Sequence, residues 1–413
     1  MKKLKKIVIL VAVNLIVFIL LFELIAVGIY FLGHKAFFYT HEKTPLENIE
    51  SSADQQLTNK RFHPFFGYTH KAGSQGTNNY GFYCPHDYPL KRENKDWFFI
   101  GIFGGSVAAD FYDLGTRRLT DRLKSRPYYA DKEIIYLNYA LGGYKQPQQL
   151  EILSYFLSIG QELDMAINID GFNEIVFCFN NNRLHVDAAM PSAQHFLPMR
   201  DLMDSRTLTG EKLESITEIQ HIKKSYLRIR EKLLHCKSAA VYLVLSSYGK
   251  YLYKKYRREL VRFDGLTKPA GPEDSIVNVK YTAGLVEPAL LASVATIWYR
   301  ASFNMNSQVT AWGGRYFHFL QPNQYVSKKV FSDEERKTAL DYSSTYDLLA
   351  KKGYPVLQQA VVYLRQNHVR AFSAVDIFDS VKETLYIDNC CHFNQKGNEL
   401  FADFIADHIL ESD

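Results

Sequence analysis

The sequence predicts an α/β protein built on a mainly parallel sheet and carried by one N-terminal transmembrane helix. Three observations lead there: an apolar run over 7–32 broken only by Asn14, Glu23 and Gly28, five short continuously apolar segments, and helical patterns between those segments. With 413 residues, 47% of them hydrophobic, the chain has apolar surface for a large core, which excludes a disordered or fibrous protein.

The first element is longer than the ~20 residues a helix needs to cross ~30 Å of hydrocarbon. A cleaved signal peptide would have a shorter apolar region and a small-x-small site, which HKAFFYTHEK does not supply, so 7–32 reads as an uncleaved anchor. Lys2, Lys3, Lys5 and Lys6 precede it. The positive-inside rule therefore puts a 1–6 tail in the cytoplasm and everything after the anchor outside the cytoplasmic membrane, periplasmic or extracellular. Glu23 is an ionisable group inside the span, costly by ~2.5–3.5 kcal/mol near a helix centre, and is expected to face a partner helix. Residues 33–60 read as a tether that turns polar beyond Thr44.

From 61 to 413 the pattern is that of one folded domain. Segments 97–103, 134–140, 165–169, 316–320 and 371–378 have the length and apolarity of strands buried on both faces, which belong in a parallel sheet. Helical patterns cover 148–157, 288–311, 333–352, 355–366 and 396–410, the first and fourth entered through Pro147 and Pro355. Strand, crossover helix, strand is the α/β plan, and its ligand site lies at the carboxyl ends of the strands. Residues 180–287 differ in texture and read as an insertion. Within them Val241, Val244, Leu245, Tyr248 and Leu252 recur at helical spacing ahead of Lys254, Lys255, Arg257, Arg258 and Arg262. That pattern fits either a helix packed on the core with a solvated basic end or a basic amphipathic helix resting on anionic lipid.

Charge says little about partners. Lys plus Arg is 49 and Asp plus Glu 44; without the four N-terminal lysines and Glu23 the balance is only +2, and no nucleic-acid partner is expected. Cysteines at 84, 178, 236, 390 and 391 form neither a dense disulfide framework nor a CxxC pair.

Chemistry concentrates at the predicted strand ends. IGIFGGSVAAD puts Gly104, Gly105 and Ser106 after the first strand, where a sharp turn exposes the hydroxyl. The second strand ends in Asn138, Gly142 and Gly143, and the third in Asp170, Gly171, Phe172, Asn173 and Glu174. A serine attacking an acyl carbon creates an oxyanion; the N–H groups of Ser106 and Gly143 with the Asn173 carboxamide would supply its donors. The hydroxyl needs a base. His392 in YIDNCCHFN, with Asp388 four residues before it, sits between the last strand and the last helix and can reach the same crevice. Cys390 and Cys391 beside it read as packing residues, with a disulfide or metal as the lesser alternatives and no fourth ligand at recognisable spacing.

These blocks, GGS at 104–106, NxAxGG at 138–143, GxN at 171–173 and the Asp and His at 388 and 392, resemble in their order the SGNH hydrolases, the GDSL-like esterases and lipases, in a GGS variant like membrane-linked polysaccharide O-acetyl esterases and transferases. The resemblance covers roughly 62–180 and 310–410. It implies a three-layer α/β/α sandwich with a mainly parallel five-stranded, flavodoxin-like sheet, and acyl transfer from an ester without metal or other cofactor. It also implies Ser106 as nucleophile, Ser106, Gly143 and Asn173 as the oxyanion hole, His392 as base and Asp388 as its orienter. The family's usual Asp-x-x-His spacing would put Asn389 at the acid's place, and its usual Asp of GDS is Gly105 here. The expected function is a membrane-anchored esterase or O-acyltransferase acting on acyl, above all acetyl, esters of an extracytoplasmic glycan or lipid, with a polysaccharide substrate and a multi-pass membrane acyl carrier as candidate partners. The competing reading is a non-catalytic SGNH-like module that binds or assembles a cell-envelope polysaccharide.

Overall fold

The computed structural model describes residues 2–41, 46, 60–74, 76–203, 209–266 and 278–412. Most of the expected tether, 42–45 and 47–59, lies outside the described residues. Contacts divide the chain into two units, Met1–Gln56 with Asp204–Lys268, and Leu57–Met203 with Pro269–Asp413.

The second unit opens with an antiparallel pair, β1 (Lys60–His63) and β2 (Gly67–His70), and is built on five parallel strands, β3 (Trp97–Gly104), β4 (Glu133–Asn138), β5 (Met165–Asp170), β6 (Arg315–Leu320) and β7 (Ala371–Ser373). Their order is β4-β3-β5-β6-β7. Counted within this sheet it is 2-1-3-4-5, the flavodoxin-like order. Helices Ser106–Leu114, Thr116–Leu123 and Gln395–Glu411 pack together, while Gln148–Ser158, Phe172–Arg183, Glu287–Ala311 and Tyr346–Gln366 form a separate group, giving the three layers. Both faces of the sheet are covered. That is why β5 is buried at every position and why its sequence, MAINID, does not alternate. Chain direction reverses across the sheet between β3 and β5, whose following helices join opposite layers, so the crevice for a ligand opens where Ser106 and Asn173 begin those helices.

Three elements depart from the sequence reading. The helix expected over 333–352 ends at Ala339, because Leu340 is extended and the Asp341 carboxylate takes the Ser343 N–H and hydroxyl, building a turn instead. A new helix then starts at Tyr346 and runs through Pro355 to Gln366, so that proline lies inside a helix and not at its start. The strand expected over 371–378 stops at Ser373. Within 180–287, the helix Ala193–Met203 belongs to the sheet-containing unit, as do Val186 and Tyr281, which pair as an isolated bridge.

The other unit contains the helix Lys2–His34, of which Ile9–His34 is long and apolar enough to cross a membrane. It also contains a helical hairpin, Gly210–Leu234 and Ala239–Leu266, held by Ile219, Ile222, Tyr226, Leu252, Tyr256 and Phe263. Ala26 and Tyr30 of the apolar helix pack with Leu233, Cys236, Ala239 and Tyr242 of the hairpin. Glu23 meets a helix of its own chain. Its carboxylate accepts from Ser238 Oγ at 2.6 Å, from the Ala239 N–H, from the Ala240 N–H at 3.2 Å and from Tyr39 Oη at 2.8 Å. Of the apolar positions at helical spacing in Ala239–Leu266, Leu252 is buried, but Val241, Val244 and Tyr248 are exposed, so the packed face is a different one.

Candidate active site

Ser106 is the first residue of its helix, reached through Gly104 and Gly105 from the end of β3. Its Oγ lies 2.7 Å from His392 Nε2. On the other side of the ring, Nδ1 is 2.5 Å from Asp388 Oδ2. The structure thus joins the hydroxyl, imidazole and carboxylate singled out in the sequence into one hydrogen-bonded row.

The wider spacing of Asp388 and His392 has a local cause. Asp388 Oδ1 accepts the N–H groups of Cys390 at 2.9 Å, Cys391 at 3.1 Å and His392 at 3.2 Å, so the loop wraps around one carboxylate oxygen and leaves the other for the imidazole. Asn389 faces away: its Nδ2 donates to Asp341 Oδ2 and its carbonyl accepts from Tyr325. Burial raises the Asp388 carboxyl, but the His392 hydrogen bond and charge and the loop N–H groups outweigh it and hold it low. Burial likewise pulls His392 down, and the Asp388 hydrogen bond and charge, helped by Cys390 and Asp110, override it and leave the imidazole raised to about 9.

Candidate donors for an oxyanion lie in the segments around Ser106, Gly143 and Asn173. The Ser106 N–H belongs to the open first turn of its helix, and neither it nor the Gly143 N–H has an acceptor among the described residues. Asn173 Nδ2 gives one hydrogen to the Tyr144 carbonyl at 2.8 Å, which orients the amide and leaves its second hydrogen. A Cβ on Gly105 would overlap that same Nδ2, so the residue between Gly104 and Ser106 has no room for the aspartate of a GDS block. Gly143 has φ +87°, and a Cβ there would lie 2.5 Å from His195 Nδ1 and 2.7 Å from Tyr68 Oη. Tyr68 Oη also donates to the Gly142 carbonyl at 3.2 Å. Tyr68 on β2 and His195 in the helix Ala193–Met203 were not singled out in the sequence; they lie far from the four blocks, and no pattern links them to Gly143.

Beneath the crevice is a buried polar network. Asp170, at the end of β5, accepts from Trp298 Nε1 at 2.6 Å and Asn168 Nδ2 at 2.7 Å, with His318 Nε2 at 2.8 Å. Glu174 accepts the Gly171 and Gln146 N–H groups at 2.7 and 2.9 Å, and burial, then the nearby Asp170, push its carboxyl up to about 8. Together these fix the turn that carries Asn173. The loop carrying Asp388 is fixed by the buried pair Lys329 and Glu335, 3.1 Å apart: Lys329 donates to the carbonyls of Val381 and Glu383, and Glu335 accepts from the N–H groups of Leu385 and Tyr386.

All five cysteines are free. Cys390, Cys391 and His392 bring three ligand atoms within 4.8 Å of one another, the one metal-competent group among the described residues. Both His392 nitrogens are already engaged, by Asp388 and Ser106, so a metal there would displace the row.

No family model matches the chain, and no curated protein is similar to it. Among solved structures, the crystal structure of an acetyl xylan esterase, AlAXEase, aligns with a TM-score of 0.34 and 10% identity over 76% of this chain and 99% of that one. A likeness at that level carries no argument, and the functional reading rests on the site itself.

Proposed function

We propose that this protein is a membrane-anchored serine esterase or O-acyltransferase of the SGNH type, acting on acyl, above all acetyl, esters of a glycan or lipid outside the cytoplasmic membrane. One observation carries the reading: the row Ser106, His392, Asp388 with hydrogen bonds of 2.7 and 2.5 Å at the end of a parallel strand. The helix Lys2–His34 serves as the anchor, with the sheet-containing domain outside.

In this mechanism neutral His392 takes the Ser106 proton on Nε2 as Oγ bonds to the ester carbonyl carbon. The carbonyl oxygen becomes an anion held by the N–H groups of Ser106 and Gly143 and by Asn173 Nδ2, at the positive end of the Ser106–Leu114 helix. Collapse breaks the ester C–O bond, and the imidazolium returns its proton to the departing alkoxide. Water, or a sugar hydroxyl, then attacks the acyl carbon with His392 again as base, and the acyl–Oγ bond breaks as the imidazolium returns the proton to Ser106 Oγ. The first outcome is hydrolysis, the second transfer.

The decisive experiment compares the full chain with Ser106→Ala on a short-chain aryl acetate and with a fluorophosphonate probe. The reading requires activity and covalent labelling at Ser106, both lost in the variant. Equal rates in the two proteins remove the serine mechanism. A folded protein that binds polysaccharide without labelling supports a binding module instead.

A further inference from the structure

The anchor is too short if only its freely exposed part lies in lipid. Ile9 to Phe22 is exposed on every side, whereas from Glu23 onward Ala26 and Tyr30 are covered by the hairpin. Even counted from Ile7, 7–22 rises only about 24 Å at 1.5 Å per residue, against ~30 Å of hydrocarbon. A helix that crosses must therefore carry the bilayer past Glu23, to the level where Ala239 and Tyr242 pack on it.

The end of the hairpin helix is built for that medium. A helix N-terminus in hydrocarbon cannot leave its first N–H groups open. Here the N–H groups of Ala239 and Ala240 go to Glu23, that of Val241 to Ser238 Oγ at 3.2 Å, and that of Tyr242 to the Ser238 carbonyl at 2.9 Å. Meanwhile Val241, Val244, Tyr248 and Tyr251 stand exposed at i, i+3, i+7 and i+10, one face of the helix. That face continues into the anchor: a groove of about 320 Å³ runs between Phe18, Ile19 and Phe22 on one side and Val241, Val244 and Leu245 on the other. Exposed Lys254, Arg257 and Arg258 follow the stripe, as suits a helix passing from acyl chains to phosphates.

We propose that the hairpin tip is immersed in the leaflet from which the chain emerges after His34, with Val241, Val244, Tyr248 and Tyr251 against lipid and Glu23 serving as the cap of the immersed helix. This rests on the anchor reading given above. It assigns Glu23 an intramolecular role in the membrane and makes the lipid an occupant of the groove.

The test uses the full chain in phosphatidylethanolamine and phosphatidylglycerol vesicles carrying acyl-chain quenchers, with an environment-sensitive fluorescent amino acid at position 18, 244 or, as an exposed control on the other hairpin helix, 217. The probe at 244 should be quenched to within about two-fold of the probe at 18, as a stripe buried at the acyl boundary requires, while 217 is not. Quenching at 18 but not at 244 overturns the proposal and leaves the anchor intact. No quenching at 18 overturns both. Glu23→Leu, which keeps the span apolar but opens the N–H groups of Ala239 and Ala240, should reduce quenching at 244 and leave 18 unchanged; undiminished quenching at 244 refutes the capping role.

Discussion

Asp388→Asn isolates what the carboxylate does for His392. The amide is nearly isosteric, and its oxygen can keep the N–H groups of Cys390, Cys391 and His392, so the loop stays folded. Its Nδ2 then faces the imidazole as a donor, which leaves the ring proton on Nε2, the nitrogen that must accept from Ser106. Turnover should fall by roughly 10³–10⁴. The second readout is pH. Activity is lost as pH falls through the His392 value, so the native acid limb of kcat/KM should lie well above the ordinary 6.5, toward about 9. Without the Asp388 hydrogen bond and charge, burial acts against only Cys390 and Asp110, and the limb should move down, by as much as the interval between about 9 and 6.5. The assay is steady-state hydrolysis of an aryl acetate across that range for wild type, Asp388→Asn and Asn389→Ala. An unmoved limb, or a larger loss in Asn389→Ala than in Asp388→Asn, would refute the role given to Asp388.

Two further outcomes follow from the supporting structure. Gly105→Ala should lower kcat by about 10²-fold, as for loss of one oxyanion donor, because the new Cβ displaces the Asn173 amide; a kcat within about two-fold of wild type would show that Asn173 is not engaged. Lys329→Met leaves Glu335 buried without its partner, at a cost of about 3–5 kcal/mol, and should lower the thermal midpoint by roughly 10 °C in a scan; a midpoint unchanged by the substitution would mean that the pair does not pin the 381–386 segment.

What could be read from the sequence was local. Strands such as MAINID announce themselves because burial on both faces removes any need to alternate, and Ser106, Asn173 and His392 stand out because each follows a recognisable strand or precedes a helix. Pro355 misled because a proline marks a helix start in isolation, while here the turns on both sides of it in Tyr346–Gln366 are held by packing on the sheet and on neighbouring helices, which offsets the lost hydrogen bond. Tyr68 and His195 were invisible for a different reason: they reach Gly143 only through the tertiary fold. Glu23 was legible as an anomaly in an apolar run, but the sequence has no pattern that pairs it with Ser238, more than two hundred residues away.

The distance along the chain between Ser106 and His392, 286 positions, has a consequence for timing. At typical synthesis rates of about 5–20 residues per second, some 15–60 s separate the emergence of the nucleophile from that of its base. Over that interval β3, β4 and β5 can already pair, yet on the proposed mechanism the serine has no proton acceptor. On that mechanism Ser106 cannot be activated in the nascent chain until the Asp388 loop, late in synthesis, closes onto the strand ends and brings His392 to its hydroxyl.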